Sequence, residues 1–89
     1  MSKQYPEITK DILKYLKELK PHIPDVMQGS YNLSQAAFQD GIVDKKTKEM
    51  FALCLAVATR CDGCIGFHAE ALVRLGATRQ EVAEMLGVA

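Results

Sequence analysis

Cys61, Cys64 and His68 are the residues of this 89-residue chain whose types and spacing could do chemistry. Two cysteines at this spacing can close a disulfide, and one sulfur can resolve a mixed disulfide formed on the other. His68 follows Cys64 by four residues, so on a helix the imidazole and the thiol share one face. A helix N-terminus and a nearby imidazolium both lower the pKa of a thiol, and the thiolate is the nucleophile in disulfide exchange. The spacing therefore predicts a redox-active cysteine pair at the start of a helix.

Zinc binding is the main alternative for the same three side chains. Structural zinc needs four protein ligands and catalytic zinc needs three, and these residues would supply three. Cys54 is a poor fourth ligand, because it lies in an apolar run and is typical of a small core residue. His22, between two prolines, is expected to be exposed. Three interpretations stay open here: a redox pair, a zinc-binding structural or interaction module, and a vestigial pair in a non-catalytic assembly subunit.

Charge and hydropathy exclude several classes of partner. The 11 Lys and Arg residues balance the 11 Asp and Glu residues, so no net charge attracts nucleic acid or an anionic membrane. The longest apolar run, residues 50–58, is too short to span a bilayer, and the N-terminus lacks the apolar stretch of a signal peptide. We therefore expect a cytoplasmic protein without nucleic-acid or membrane partners. In such a reducing compartment a close cysteine pair is more often catalytic or metal-binding than structural.

Apolar periodicity predicts an all-α fold of about five helices and no strands. Asp44 is expected to cap the third helix, Asp62 the fourth, and Thr78 with Glu81 to form a capping box for the fifth. The predicted helices span residues 6–20, 24–39, 45–60 and 63–75, with a fifth running from its cap to residue 86. The expected helix stops are Gly41, Gly76 and Gly87.

The apolar composition of the third predicted helix indicates an oligomer. Its second half, Met50 to Ala58, is apolar on every face, and such a helix is normally buried all round. A chain of 89 residues has few elements with which to surround it. We therefore expect an obligate oligomer with helix–helix interfaces.

Glu49, eleven further residues, and then Cys61-x-x-Cys64-x-x-x-His68 resemble a known motif. It is the motif of the alkyl hydroperoxidase D-like branch of the carboxymuconolactone decarboxylase family. The resemblance covers residues 43–89, the motif-bearing half of a single domain of residues 1–89, whereas residues 1–42 match only as generic N-terminal helices. Some members have a histidine where this chain has Gly63. Members usually continue with a further helix, so we expect a truncated or short variant.

The resemblance implies an all-helical homo-oligomer, often a trimer or a hexamer. It implies reduction of a peroxide or of a partner's disulfide. We expect a dithiol reductant or a partner redox protein to reset the pair, and we expect no cofactor and no metal. It makes Cys61 and Cys64 the redox pair, His68 the proton relay and Glu49 the group that drives the relay. The decarboxylase branch lacks the cysteine pair, so decarboxylation is not expected.

Glu49 has a different interpretation from local sequence alone. An acid at this position is typical of a solvated first helical turn, stabilised by the helix dipole. On an unbroken helix its Cα lies roughly 18 Å from that of Cys61, which excludes direct contact. A fourth helix that folds back would bring His68 close enough for a Glu49–water–His68 relay.

Cys64 is predicted to be the more acidic of the two thiols. With Asp62 as the cap, the first helical amides would belong to Gly63 and Cys64, and Cys61 would lie outside the helix. His68 on the same face would lower the pKa of Cys64 further. Cys61 would then be the more exposed sulfur, which meets the partner.

Overall fold

The computed structural model of the protein describes residues 2–89, which form five α-helices, one 3-10 turn and no strand. The predicted all-α class is therefore confirmed. Along these residues no helix combines the length and the apolar character needed to cross a membrane. The elements are α1 (Tyr5–Leu19), the 3-10 turn (Lys20–His22), α2 (Pro24–Ala37), α3 (Lys45–Thr59), α4 (Asp62–Arg74) and α5 (Arg79–Val88).

Two of the predicted N-terminal caps are present. The Asp44 carboxylate accepts the Thr47 backbone N–H at 2.7 Å. Hydrogen bonding to the Thr47 side chain, and then to this backbone N–H, holds the pKa of Asp44 below its ordinary value. At α5 the Thr78 hydroxyl accepts the Glu81 N–H at 3.1 Å, and the Glu81 carboxylate accepts the Thr78 N–H at 2.9 Å. Each bond satisfies an amide that the helix itself leaves unpaired. The starts of α3 and α5 are thus encoded locally.

The C-terminal ends follow the glycine pattern only in part. Gly76 adopts a φ of 78°, the left-handed conformation expected of a glycine just past α4. The predicted stop at Gly87 is wrong, because α5 continues through it to Val88. The second helix ends at Ala37, and Gly41 lies in the turn that follows.

The fourth helix is the centre of the molecule, since it packs on α3 along one side and on α1 along the other. The buried core between α3 and α4 consists of Met50, Leu53 and Leu72, and α5 adds partly buried side chains to it. On the opposite side α1 lies so close to Gly66 that a Cβ there would collide with the Thr9 methyl group. These contacts fix α4, and with it the cysteine motif at its start.

The second helix is almost free of the rest of the fold. Within residues 2–89 it contacts no element except the 3-10 turn, and none of its residues is buried. It exposes apolar side chains such as Leu33, 73% exposed, while the outer face of α3 exposes Phe51, 65% exposed. Only one face of the apolar stretch Met50 to Ala58 is therefore covered within a single chain.

Candidate functional site

The site begins with a disulfide between Cys61 and Cys64, whose Cα atoms are 5.2 Å apart. The end of α3 positions it. Arg60 takes a left-handed φ of 58°, and the Cys61 N–H donates to the Ala56 carbonyl at 3.0 Å, so the chain turns sharply. The next helix starts at once, at Asp62. Both cysteines are half-buried in this corner between α3 and α4.

Cys61, and not Asp62, caps α4. Its sulfur accepts the Cys64 backbone N–H at 3.2 Å, and Asp62 is already the first helical residue. The prediction of an Asp62 cap is therefore wrong, because the cysteine side chain takes the hydrogen bond that an Asp cap would accept. As a result, the amide end of the helix points at the Cys61 sulfur, which sequence reasoning placed outside the helix. An amide donor and the positive end of a helix dipole both favour a thiolate.

Glu49 and His68 form the second part of the site. Glu49 is 6% exposed, and its Oε2 lies 2.7 Å from Nδ1 of His68. The interpretation of Glu49 as a solvated acid is wrong, and the contact is direct instead of passing through a water. The physical reason is that α4 folds back along α3 and brings position 68 level with position 49. Because Nδ1 faces the carboxylate, Nε2 is the imidazole nitrogen left to take up and release a proton.

Phe38 completes the surroundings of His68, and sequence reasoning missed it. The two ring centroids are 5.5 Å apart, with the planes tilted by 31°. Phe38 follows the last residue of α2 and also lines an apolar cavity of about 490 Å³ together with Phe51 and Leu55. No local signal could have found this contact, because an aromatic residue 30 positions before the histidine looks like any helix-face residue.

A second missed residue is Lys3, whose Nζ lies 2.8 Å from Oδ2 of Asp62. This hydrogen bond raises the pKa of Lys3 above its ordinary value. Asp62 is one of the two residues between the cysteines, so the Lys3 ammonium lies next to the cysteine motif. The separation of 59 positions leaves no trace in the sequence pattern.

The geometry gives the zinc interpretation no support. Among residues 2–89, no three His, Cys, Asp or Glu side chains are grouped as metal ligands. The Cys54 sulfur faces α5, where it lies 3.4 Å from the Met85 carbonyl oxygen. Cys54 is a free, half-buried cysteine, and His22 is exposed as expected.

Residues 24–89 match the sequence model of the carboxymuconolactone decarboxylase family. The chain belongs to this family. The match begins in α2, well before the motif-bearing half where the resemblance was apparent. An apo crystal structure of a carboxymuconolactone decarboxylase family protein from Legionella pneumophila superposes with a TM-score of 0.92. The two sequences are 50% identical, and the comparison covers 98% of this chain and 78% of the other.

The curated relatives that match the chain are uncharacterized proteins and add no function. An uncharacterized protein of Haemophilus influenzae is 39% identical over 70 residues, which is 79% of this chain and 62% of that protein. An uncharacterized protein of the cox locus of Paracoccus denitrificans is 40% identical over 57 residues, 64% of this chain and 51% of that protein. The chain thus spans half to three-fifths of the length of these relatives.

Proposed function

We propose that this family member is a thiol-dependent oxidoreductase that reduces a peroxide or a partner's disulfide with the Cys61–Cys64 pair. This is the activity of the alkyl hydroperoxidase D-like branch that the motif resembles. One observation carries it above all others. A disulfide at the first turn of α4 stands one helical turn from His68, which is hydrogen-bonded to the buried carboxylate of Glu49.

The chemistry needs two sulfurs and two electrons. One thiolate, assigned to Cys64 from the sequence, attacks a peroxide oxygen; an S–O bond forms, the O–O bond breaks, and the leaving alkoxide takes a proton to become an alcohol. The Cys61 thiol then attacks the sulfenic sulfur, and the disulfide forms as water leaves. The dithiol is oxidised by two electrons and the peroxide is reduced by two. A dithiol reductant or a partner redox protein resets the pair by thiol–disulfide exchange.

His68 and Glu49 are assigned the proton transfers. The Nε2 atom of His68 would take the thiol proton and give it to the leaving oxygen. The Glu49 carboxylate on Nδ1 would hold the ring orientation and stabilise the imidazolium that forms in between, as a carboxylate does for a catalytic histidine elsewhere. The burial of Glu49 strengthens this interaction, because little water competes for the carboxylate.

The decisive experiment follows peroxide consumption with a panel of dithiols, for both hydrogen peroxide and an organic hydroperoxide. We expect one equivalent of dithiol to be oxidised for each peroxide. The Cys61→Ser and Cys64→Ser variants should each lose turnover, while Cys54→Ala, the matched cysteine control, should keep it. Mass spectrometry should show the Cys61–Cys64 disulfide with Cys54 free.

Two results would contradict this function. Stoichiometric zinc in protein purified without chelator, with no disulfide, would instead favour the zinc-binding module. If the cysteine pair reduces neither a peroxide nor a partner's disulfide with any dithiol, the protein would instead be a non-catalytic assembly subunit.

A further inference from the structure

We propose, building on the redox function above, that Lys3 is a positioning residue that sets the redox equilibrium of the Cys61–Cys64 pair by neutralising Asp62 between the two sulfurs. Asp62 is bonded directly to Cys61 and lies two residues before Cys64. Its carboxylate holds the Lys3 ammonium at 2.8 Å, and both groups remain open to solvent.

The packing of α1 on α4 explains why Lys3 lies next to Asp62. The segment that precedes α1 lies beside Asp62, one of the two residues that separate the cysteines. A Cβ on Gly63 would come within 2.6 Å of the Ile12 side chain, and a Cβ on Gly66 would collide with Thr9. Thr9 itself is 2% exposed and donates a hydrogen bond to Glu70 at 2.7 Å. Because α1 is seated on α4 in this way, position 3, two residues before α1, is held beside the first turn of α4.

The electrostatic argument concerns the reduced state. The disulfide is uncharged, and its reduction by two electrons with uptake of one proton gives one thiol and one thiolate. A carboxylate next to these sulfurs disfavours the thiolate, and an ammonium bound to that carboxylate removes most of the penalty. Stabilising the thiolate stabilises the reduced pair, which makes the disulfide more oxidising. Lys3 therefore shifts the equilibrium toward the dithiol.

Other charged groups around the pair stay constant when Lys3 is changed. Arg60 precedes Cys61 in the chain, His68 and its partner Glu49 lie on the inner side of α4 and α3, and Glu70 is bound by Thr9 from α1. Lys3 alone of the described lysines and arginines forms an ion pair with a residue of the cysteine motif. Replacing Lys3 therefore removes one charge near the cysteines and leaves the other charged groups in place.

The test measures the equilibrium of the intact protein with a glutathione redox buffer at low salt. For Lys3→Met we expect the equilibrium to shift toward the disulfide by about threefold, which is about 14 mV. Asp62→Asn should shift it in the opposite direction, and Lys3→Arg should restore the wild-type value. In the Asp62→Asn background, Lys3→Met should have little effect, because the lysine acts through the carboxylate. The matched control is Lys10→Met, which removes an exposed lysine of α1 that has no ion pair among the described residues.

Ionic strength supplies an independent readout. A field effect of exposed charges is screened by salt, so the difference between Lys3→Met and wild type should shrink as salt is raised from about 0.05 to about 0.5 M. A merely structural role would not respond in this way. Equal equilibrium constants for Lys3→Met, Lys10→Met and wild type at low salt would overturn the role of Lys3, while a reversible disulfide with peroxide turnover would leave the proposed function intact. Failure of the wild-type pair to cycle would instead count against the function itself.

Discussion

At the scale of single residues, the Glu49–His68 contact is the feature that most needs a functional reason. A carboxylate with 6% exposure is costly to bury unless it is hydrogen-bonded, and His68 is its partner. A protein that needed only stability could use two apolar side chains here, because buried ion pairs are often no better than well-packed hydrophobic residues. We therefore propose that the pair serves proton transfer at the cysteines, as set out above.

Glu49→Gln separates these two roles. The amide keeps the size of the side chain and can still accept a hydrogen bond from Nδ1, but it cannot stabilise an imidazolium. We expect peroxide turnover to fall by about 10²-fold, the usual weight of an acid–base group, while the melting temperature changes little. Steady-state turnover and thermal melting measure the two effects. Glu84→Gln, an exposed position on α5, is the control, and equal turnover in both variants would remove Glu49 from the relay.

The choice between the two thiols is changed by the cap that Cys61 supplies. The Cys64 N–H should stabilise a Cys61 thiolate, so the assignment of Cys64 as the more acidic thiol now depends on His68 alone. We expect His68→Ala to raise the pKa of Cys64 and to leave that of Cys61 almost unchanged. Thiolate absorbance at about 240 nm in single-cysteine variants measures both values. An unchanged Cys64 pKa would show that the imidazole does not activate it.

At the scale of elements, the contact between α1 and α4 depends on a missing side chain. Gly66 is buried on α4, and a Cβ there would collide with the Thr9 methyl group. The Thr9 side chain cannot move away cheaply, because it is 2% exposed and its hydroxyl donates a hydrogen bond to Glu70. The helix propensity gained by replacing glycine is therefore outweighed by overpacking.

Gly66→Ala should accordingly destabilise the protein by about 1–3 kcal/mol, the usual cost of overpacking. Gly29→Ala is the matched control, since Gly29 is also a helix residue but has no atom near the position of a new Cβ. That variant should be more stable by about 0.5–1 kcal/mol, because alanine is the better helix former. Chemical denaturation of both variants measures the difference, and a shift of the same sign in the two would contradict close packing at Gly66.

At the scale of the whole molecule, the exposed apolar faces of α2 and α3 indicate an interface with another chain. Phe51 and Leu55 lie on the side of α3 that points away from the core, and Val26 and Leu33 are exposed on α2. Such surfaces on a small protein normally mark an interface. We propose that copies of this chain cover them, in a trimer or hexamer as the family resemblance implies.

Sedimentation at low micromolar concentration should therefore show no folded monomer. Phe51→Lys should weaken the assembly, because it places a charge in the middle of the surface that becomes buried. Val88→Lys is the control, as it changes an even more exposed apolar residue at the end of α5. A well-folded wild-type monomer at that concentration would contradict an obligate oligomer.

The sequence by itself determined the features that depend on neighbouring residues. The helices, the Asp44 cap, the Thr78–Glu81 capping box and the left-handed Gly76 all follow from interactions within a few positions. The cysteine pair and the histidine one turn later belong to this class, because their relative positions are fixed by a single helix. The prediction that Asp62 caps α4 was also made from neighbouring residues, and it is wrong because the Cys61 sulfur accepts the hydrogen bond instead of an Asp oxygen.

Only the tertiary structure decided which distant residues complete the site. Glu49 reaches His68 because α4 folds back along α3, Phe38 reaches it from the end of α2, and Lys3 reaches Asp62 because α1 is seated against two glycines. Each contact joins positions 19 to 59 residues apart, and its existence depends on how helices pack and not on any pattern within one of them. The burial of Glu49 is of the same kind, because a charged residue near a helix start is solvated by default until another helix covers it.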